Sequence, residues 1–561
     1  MAAPTTTAAT AQAAPKLNKV ELLKREKDGL DVWDDVLRYA KDGFASIHPD
    51  DFTRMRWFGI YQQQPNEGHF MMRLKLPGGM VSSEQLGVIA DLTDEYARGF
   101  CDVTTRQAIQ WHWLTIENFP DIIARLNAVG VTTMGACGDI PRNVVSCPVA
   151  GSHPDELLDV RPTVLALHNA LVGNKEFSNL PRKYKMSVSA CPEQCCQPEI
   201  HDFSLVAARD ETTGEIGYGL RVGGGLSTQP YFAPWIDVFF TPDQAVDAVR
   251  AVTGIFRDFG YREKRTHARL KFLVSDWGPE KFKEKLIEYL GYTPRPGVPD
   301  EAPGNIYRDH VGVHRQEQRG LNWIGLSVLT GRVQGRQLRE LADIAARFGS
   351  GQIRTTHMQN LLLPDVPDEN LDLALAALAA SGFQWEGHSV RRGAIACTGT
   401  EFCNLAITET KQRMIQIVTH LEKRVAFDRN VRINMNGCPN GCAQHAIGDI
   451  GLQGCKARVE GQKEQVEAYD IHLGGALGRD RSFTHAIHRK VPADKVQFAL
   501  ENLLNAFNGG KQDGEEFSTW VRRHDDTQLN AFLGVETIVG APDTREVHDD
   551  VSRQGATPAG V

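Results

Sequence analysis

The chain has 561 residues, 41% of them hydrophobic and 24% charged, with a formal net charge of −8. That length supplies several domain-sized cores, while no apolar run is long enough to span a membrane and the acidic balance argues against nucleic acid as a partner. Eleven cysteines in so long a chain do not make a disulfide scaffold and point to a reducing compartment.

In chain order, residues 1–20 begin MAAPTTTAATAQAAPK, an Ala/Thr/Pro stretch with no apolar centre, and read as a disordered tail rather than a targeting segment. Met71 to Trp113 then reads as a strand, a Gly-containing turn, an amphipathic helix, a Thr-Thr pair and a second strand. The helix starts near Ser82, with Gln85 at capping-box spacing. The strand after Thr105 alternates, with Ile109, Trp111 and Trp113 on one side. A further helix is expected near Pro120 to Val129. The same order returns from Gly325 to Leu363, where Leu338, Leu341, Ala342, Ala345 and Phe348 fall on one helical face, with a helix after it near Glu369 to Ser381.

The repetition extends further. CPEQC at Cys191 to Cys195 is echoed by CPNGC at Cys438 to Cys442, and RVGGGL near Gly223 by HLGGAL near Gly474. The chain is thus two copies of a two-part unit, joined by a Pro/Gly-rich linker from about Tyr292 to Asn305. The glycines Gly223 to Gly225 do not form the dinucleotide fingerprint, which needs G-x-G-x-x-G between a strand and a helix. No flavin or nicotinamide module is evident. His112 and His357 sit on repeat-equivalent strands and read as structural residues.

The most informative stretch runs from residue 393 to residue 442. Cys397 and Cys403 have five residues between them, and Cys438 and Cys442 three. Small residues flank both pairs, letting backbone amides approach inorganic sulfide. Four thiolates on two such loops suit a [4Fe–4S] cluster, whereas zinc sites favour two-residue gaps. A rival second cluster would use Cys137, Cys147, Cys191 and Cys195, but Cys137 and Cys147 are badly spaced for it. A lost site with its loops turned to anion binding is the better reading. Cys101, Cys196 and Cys455 read as packing residues.

C-T-G-x-x-F-C followed by N-G-C-P-N-x-C resembles the cluster signature of the sirohaem-containing assimilatory nitrite and sulfite reductases, and the likeness extends from about Arg56 to Phe507. The resemblance implies an α+β fold with a pseudo-twofold internal repeat of two-part units. It divides the chain into a tail (1–20), a first ferredoxin-like half domain (21–155), a first sirohaem-binding domain without a cluster (156–292), a linker (293–305), a second half domain (306–390), a [4Fe–4S] and sirohaem-binding domain (391–540) and a tail (541–561). It implies a cluster on Cys397, Cys403, Cys438 and Cys442, with Cys442 also bridging to the sirohaem iron. Arg73, Arg142, Lys183 and Lys185 match residues that surround the substrate, and Arg106 one that contacts sirohaem. Arg221 and the basic run holding Lys264, Arg265, Arg269 and Lys271 are further candidates for the cofactor carboxylates. Buried oxyanions and carboxylates need such cations.

The implied activity is six-electron reduction of sulfite to sulfide, with reduced ferredoxin as donor to a cytoplasmic monomer. The alternative is a ferredoxin-nitrite reductase that makes ammonia. The Lys-x-Lys at 183 and 185 favours sulfite, because nitrite reductases of the family tend to Lys-x-Asn there. Other stretches, such as CDVTTRQ and CTGTEFCNLAITETK, look as much like nitrite reductases. Some sulfite-reducing relatives carry a crosslinked Tyr before F-M-M-R; His69 stands there instead. A reading of another class, a non-catalytic iron–sulfur electron-transfer protein, leaves the first-half cations unexplained.

Overall fold

The computed structural model describes residues 17–65, 67–305, 309–426, 428–459 and 463–535. The expected C-terminal tail (541–561) lies outside them, as does most of the N-terminal one. The latter is shorter than expected: a helix begins at Lys19, with the Asn18 side chain accepting from the amides of Val20 and Glu21.

Among the described residues, the strands form four five-stranded sheets. The first contains β1 (Ile60–Gln62), β2 (Phe70–Arg73), β4 (Phe100–Val103) and β5 (Ile109–Leu114). The third contains β11 (Gly312–Arg315), β12 (Leu321–Leu326), β14 (Gln352–Thr355) and β15 (Leu361–Pro367). Each borrows its fifth strand from the other half of the chain. β3 (Met80–Ser82) pairs with β14, and β13 (Arg332–Gln334) pairs with β4. The helices that follow the exchanged strands, Ser83–Tyr96 and Gly335–Phe348, both begin with capping boxes, Ser82 with Gln85 and Gln334 with Gln337. All five residues of the expected apolar stripe on the second helix are buried. Both helices join one hydrophobic core that draws on the two halves together.

The other two sheets share one topology. β6 (Pro141–Ser146), β7 (Tyr184–Ser189) and β8 (Phe203–Arg209) run parallel, and β9 (Ile216–Val222) and β10 (Trp235–Phe240) continue antiparallel. β16 (Ala394–Ala396), β17 (Ile433–Asn436), β18 (Ile450–Ala457), β19 (Val466–Leu473) and β20 (His485–Pro492) repeat that order. A crossover helix links the first two parallel strands of each sheet, Arg161–Leu171 and Lys411–Arg424, as parallel pairing requires. The loops leaving the carboxyl ends of parallel strands are where open sheets place ligands. Cys397 directly follows β16 and Cys438 lies two residues beyond β17.

Two expectations fail locally. The strand around Ile109 does not alternate: Ile109 to His112 are all buried, because β5 is covered on both faces, and Trp113 turns out with φ +69° beneath the Arg98 guanidinium. His112 and His357 are not equivalent either: His112 lies within β5, while His357 sits in the turn between β14 and β15.

Candidate functional site

Each of the four cysteines on the second-half loops is placed by backbone that only particular residues allow. Gly399 and Gly441 hold φ +67° and +69°, the left-handed region where a Cβ is strained. A Cβ on Gly437 would stand 2.8 Å from the Thr408 carbonyl, and one on Gly399 2.6 Å from Thr410 Oγ1. With glycine at residue 437, its amide donates to Cys397 Sγ at 3.2 Å. The Cys403 amide donates to the Gly399 carbonyl at 3.0 Å. The first half grips the same loops. Thr105 Oγ1 donates to the Cys442 carbonyl at 3.0 Å, Gln444 Nε2 donates to Gln197 Oε1 at 2.7 Å, and the Phe402 ring stacks on His112 at 3.9 Å.

The thiols fit a multinuclear iron–sulfur core better than one ion. Among the described residues, no three of these four sulfurs lie within 4.8 Å of one another, whereas bonds of ~2.3 Å to one zinc ion need sulfurs ~3.8 Å apart. Burial, then the neighbouring Cys442, pushes the Cys397 thiol up to about 12, and the same causes raise Cys403 and Cys438. Thiols so placed ionise together only against concentrated positive charge. Cys442 is the exposed member of the set, and it faces the first-half cations.

The cations form one group. Lys183 precedes β7 and Lys185 lies within it; strand periodicity puts both on one face while Tyr184 turns into the core and stacks on Phe256. Their side chains are partly buried, and among the described residues neither amino group is hydrogen-bonded or ion-paired. Burial, then Arg182 and Arg269, pulls Lys183 down to about 7; burial, then Arg106 and Lys183, takes Lys185 well below its usual value. The Cys442 sulfur acts on both in the opposite sense, so it lies near the two amino groups. Burial, then Arg142, brings Arg106 down to about 9. Its guanidinium donates to the Asn143 carbonyl, and its buried Nε is left without a partner. Arg142 is anchored on the Gly138 and Ala136 carbonyls at 2.6–3.0 Å. Arg73 donates to Gln110 Oε1 at 3.0 Å, and Gln110 in turn donates to Thr398 Oγ1 beside Cys397 at 3.1 Å.

Such an excess of enclosed positive charge is stable only against a polyanion. The residues therefore fit a macrocycle bearing several carboxylates together with an oxyanion.

Not every expected residue arrives there. Arg221 is 1% exposed, its guanidinium held by Asp300 and, at 3.0 Å, by the Ala233 carbonyl. That ion pair takes it out of the set open to cofactor carboxylates. Within the basic run, Arg265 is held bidentately by Asp139 and Arg269 by Asp202. Lys271 caps the Leu226 and Gln229 carbonyls, and Lys264 faces solvent. Cys137 accepts from Arg73 Nη1 at 3.4 Å and so belongs to the cation group rather than to a second cluster. The sequence reading missed Lys75. It is buried, and burial, then Arg142, brings it down to about 7. Its position two residues after Arg73 was the available signal.

Comparison with known proteins bears on the whole chain. The family described as "Nitrite and sulphite reductase 4Fe-4S domain" matches residues 137–293 and 387–526, and the "Nitrite/Sulfite reductase ferredoxin-like half domain" matches residues 61–129 and 314–381. The chain is 40% identical to an assimilatory ferredoxin-dependent nitrite reductase of Haloferax mediterranei, over 94% of this chain and 95% of the relative. It is 38% identical to a sulfite reductase [ferredoxin] of Mycobacterium tuberculosis, over 91% and 96%. The solved structure of the Mycobacterium tuberculosis NirA protein superposes with a TM-score of 0.87 at 38% identity, covering 92% of this chain and 98% of that one.

Proposed function

The chain belongs to the nitrite and sulphite reductase family, an oxidoreductase with sirohaem and a [4Fe–4S] cluster, and from that premise we propose that it reduces sulfite to sulfide with electrons from ferredoxin. The observation that carries the choice of sulfite is the pair Lys183 and Lys185, two amino groups without a partner among the described residues, on one face of a strand beside Cys442 and able to carry charge when an anion answers them. A dianion gains more from the second charge than a monoanion does.

Cys397, Cys403, Cys438 and Cys442 would hold the cluster, and Cys442, the exposed one of the four, faces the cations that would hold the sirohaem. When bound, the two groups would supply the electrons for the reduction one at a time. Arg106 and Lys75 meet cofactor carboxylates. Arg73, Arg142, Lys183 and Lys185 hold the substrate oxygens and neutralise charge that builds as electrons arrive. Lys183, drawn to about 7 by burial and by Arg182 and Arg269, is matched to proton delivery near neutral pH. Its partner on the same face, Lys185, keeps the second oxygen in register. No helix among the described residues is long and apolar enough to cross a membrane, and none of the eleven cysteines is in a disulfide. A monomer working in the reducing cytoplasm is part of the same proposal.

A second reading, nitrite to ammonia, has its own support: the Haloferax mediterranei relative at 40% identity is named a nitrite reductase. Anaerobic kcat/KM for sulfite and nitrite, measured side by side with reduced ferredoxin, decides between them. Sulfite ahead is expected. Nitrite ahead by tenfold or more (~1.4 kcal/mol) overturns the substrate assignment, and no turnover of either by fully loaded protein overturns the enzymatic one.

A further inference from the structure

The first half keeps a cysteine frame that the reductase chemistry does not use. Strand register fixes the correspondence: Val144 pairs with Met186 as Ala394 pairs with Ile433. Cys147 therefore stands at the place of Cys397, Cys191 at that of Cys438 and Cys195 at that of Cys442. The loops match in length, from Cys147 to the helix at Arg161 and from Cys397 to the helix at Lys411. The place of Cys403 thus falls to His153, which accepts from the Asp155 amide at 3.1 Å and stacks on Trp323.

One thiolate short, this frame has also contracted. Cys147 Sγ and Cys195 Sγ are 3.6 Å apart. Both sulfurs and a ring nitrogen of His310 lie within 4.8 Å of one another, and all three residues are buried. His310 comes from the other half of the chain, just past the linker, with φ +58°. Its carbonyl fills the ground beside Gly325, where a Cβ would lie 1.7 Å from that oxygen. Gly325 pairs with Leu362 as Arg73 pairs with Gln110, so the main chain of His310 occupies volume that the Arg73 side chain uses on the other side.

We propose that Cys147, Cys195 and His310 bind a single zinc-type divalent ion. Bonds of ~2.3 Å to sulfur put two tetrahedral sulfurs ~3.8 Å apart, against 3.6 Å here. A cluster is disfavoured by the loss of the fourth thiolate and by the close approach of the sulfurs. Thiolate and imidazole ligands without a carboxylate select zinc over calcium or magnesium. The ion's work is structural: it fastens the segment after the linker to the first half.

The test is metal analysis of the anaerobically purified holoenzyme, expressed with zinc in the medium. One zinc per chain is expected beyond the iron of cluster and sirohaem. The Cys147→Ser/Cys195→Ser double variant is expected to lose it while keeping the sirohaem bands and cluster iron. Where that variant does not fold, zinc-edge X-ray absorption on the native protein replaces it, with a sulfur shell near ~2.3 Å and a nitrogen near ~2.0 Å expected. Native protein without zinc, a Cys147–Cys195 disulfide, a double variant that retains zinc, or an all-oxygen/nitrogen shell each overturns the proposal.

Discussion

The two sides of the pseudo-twofold axis have nearly the same backbone and opposite charge economies. Gln107 and Gln359 mark the axis: both adopt positive φ, +51° and +62°, and each donates across it, to the Thr355 and Val103 carbonyls at 3.0 and 3.1 Å. Arg106 on the first side corresponds to Met358 on the second, which packs against Ile395 and Ala443. Arg142 corresponds to Arg392, which Asp309 neutralises at 2.7–2.9 Å. Lys185 corresponds to Arg432, which Asp449 neutralises at 3.2 Å. One side thus leaves its amino groups without a partner among the described residues, near Cys442, and the other supplies an acid for each guanidinium and fills the remaining volume with His310. A handful of substitutions, with no change of fold, separates a site built for anions from a sealed one. The cost of enclosed charge explains why the cations persist only where a ligand answers them.

The largest expected effect tests the cysteines of the open side. Cys442→Ser removes the exposed thiolate that faces Lys183 and Lys185. Turnover is expected to vanish, with the sirohaem spectrum altered and the electronic coupling to the cluster lost in electron paramagnetic resonance. Cys195→Ser, at the corresponding place, is expected to leave that coupling intact. Equal spectra and turnover in Cys442→Ser and wild type would sink the assignment of the bridge.

Next comes the second lysine. Lys185→Asn removes one of these two amino groups and is expected to lower kcat/KM for sulfite by ~10²–10³, the range for losing one preorganised donor. Nitrite should suffer less, so the ratio of the two specificity constants shifts toward nitrite. A uniform loss for both anions would mean that Lys185 serves the cofactor rather than the choice of substrate.

A smaller effect probes the sealed side. Gly325→Ala places a methyl 1.7 Å from the His310 carbonyl and forces the chain there to move, at ~1–3 kcal/mol for overpacking. The thermal midpoint of the holoprotein should fall while its sirohaem absorbance stays. An unchanged midpoint would show that the His310 segment is loosely seated.

How much of this was legible in the sequence follows from what each feature depends on. The paired spacing of the four cysteines and the repeat were readable because spacing and echo are one-dimensional. The capping box at Ser82 and the stripe on Gly335–Phe348 were readable because helices are local. The exchange of β3 and β13 was not, since pairing partners far apart in sequence leave no periodic trace. Arg221 was misplaced for a similar reason: its acid, Asp300, lies in the linker, and only the fold brings it back. His153 as the counterpart of Cys403 was missed because Cys137 drew attention as a cysteine, whereas loop length and strand register, not residue type, identify the equivalent position.

The smallest effect reads the first-half loop itself. Glu156 occupies the place that Ala406 has beside the cluster, by the same loop length. Its carboxylate accepts from the Gly151 amide at 2.8 Å, but burial, then Asp159 and Glu317, raises it to about 7. A carboxyl raised on folding is protonated in the native state before it is in the unfolded chain, where it titrates near ~4.3. Between those values the native state holds the extra proton, so stability contributed by this group is complete at low pH and drains away as pH rises to about 7. Glu156→Gln removes that slope. Because the side chain is only half-buried, solvent screening limits the gain to ~1 kcal/mol. The variant should melt higher than wild type at pH 7.5, with the gap closing as pH falls toward 4.5. A gap independent of pH would mean that packing against the loop, rather than the charge of Glu156, sets the difference between the two sides at this position.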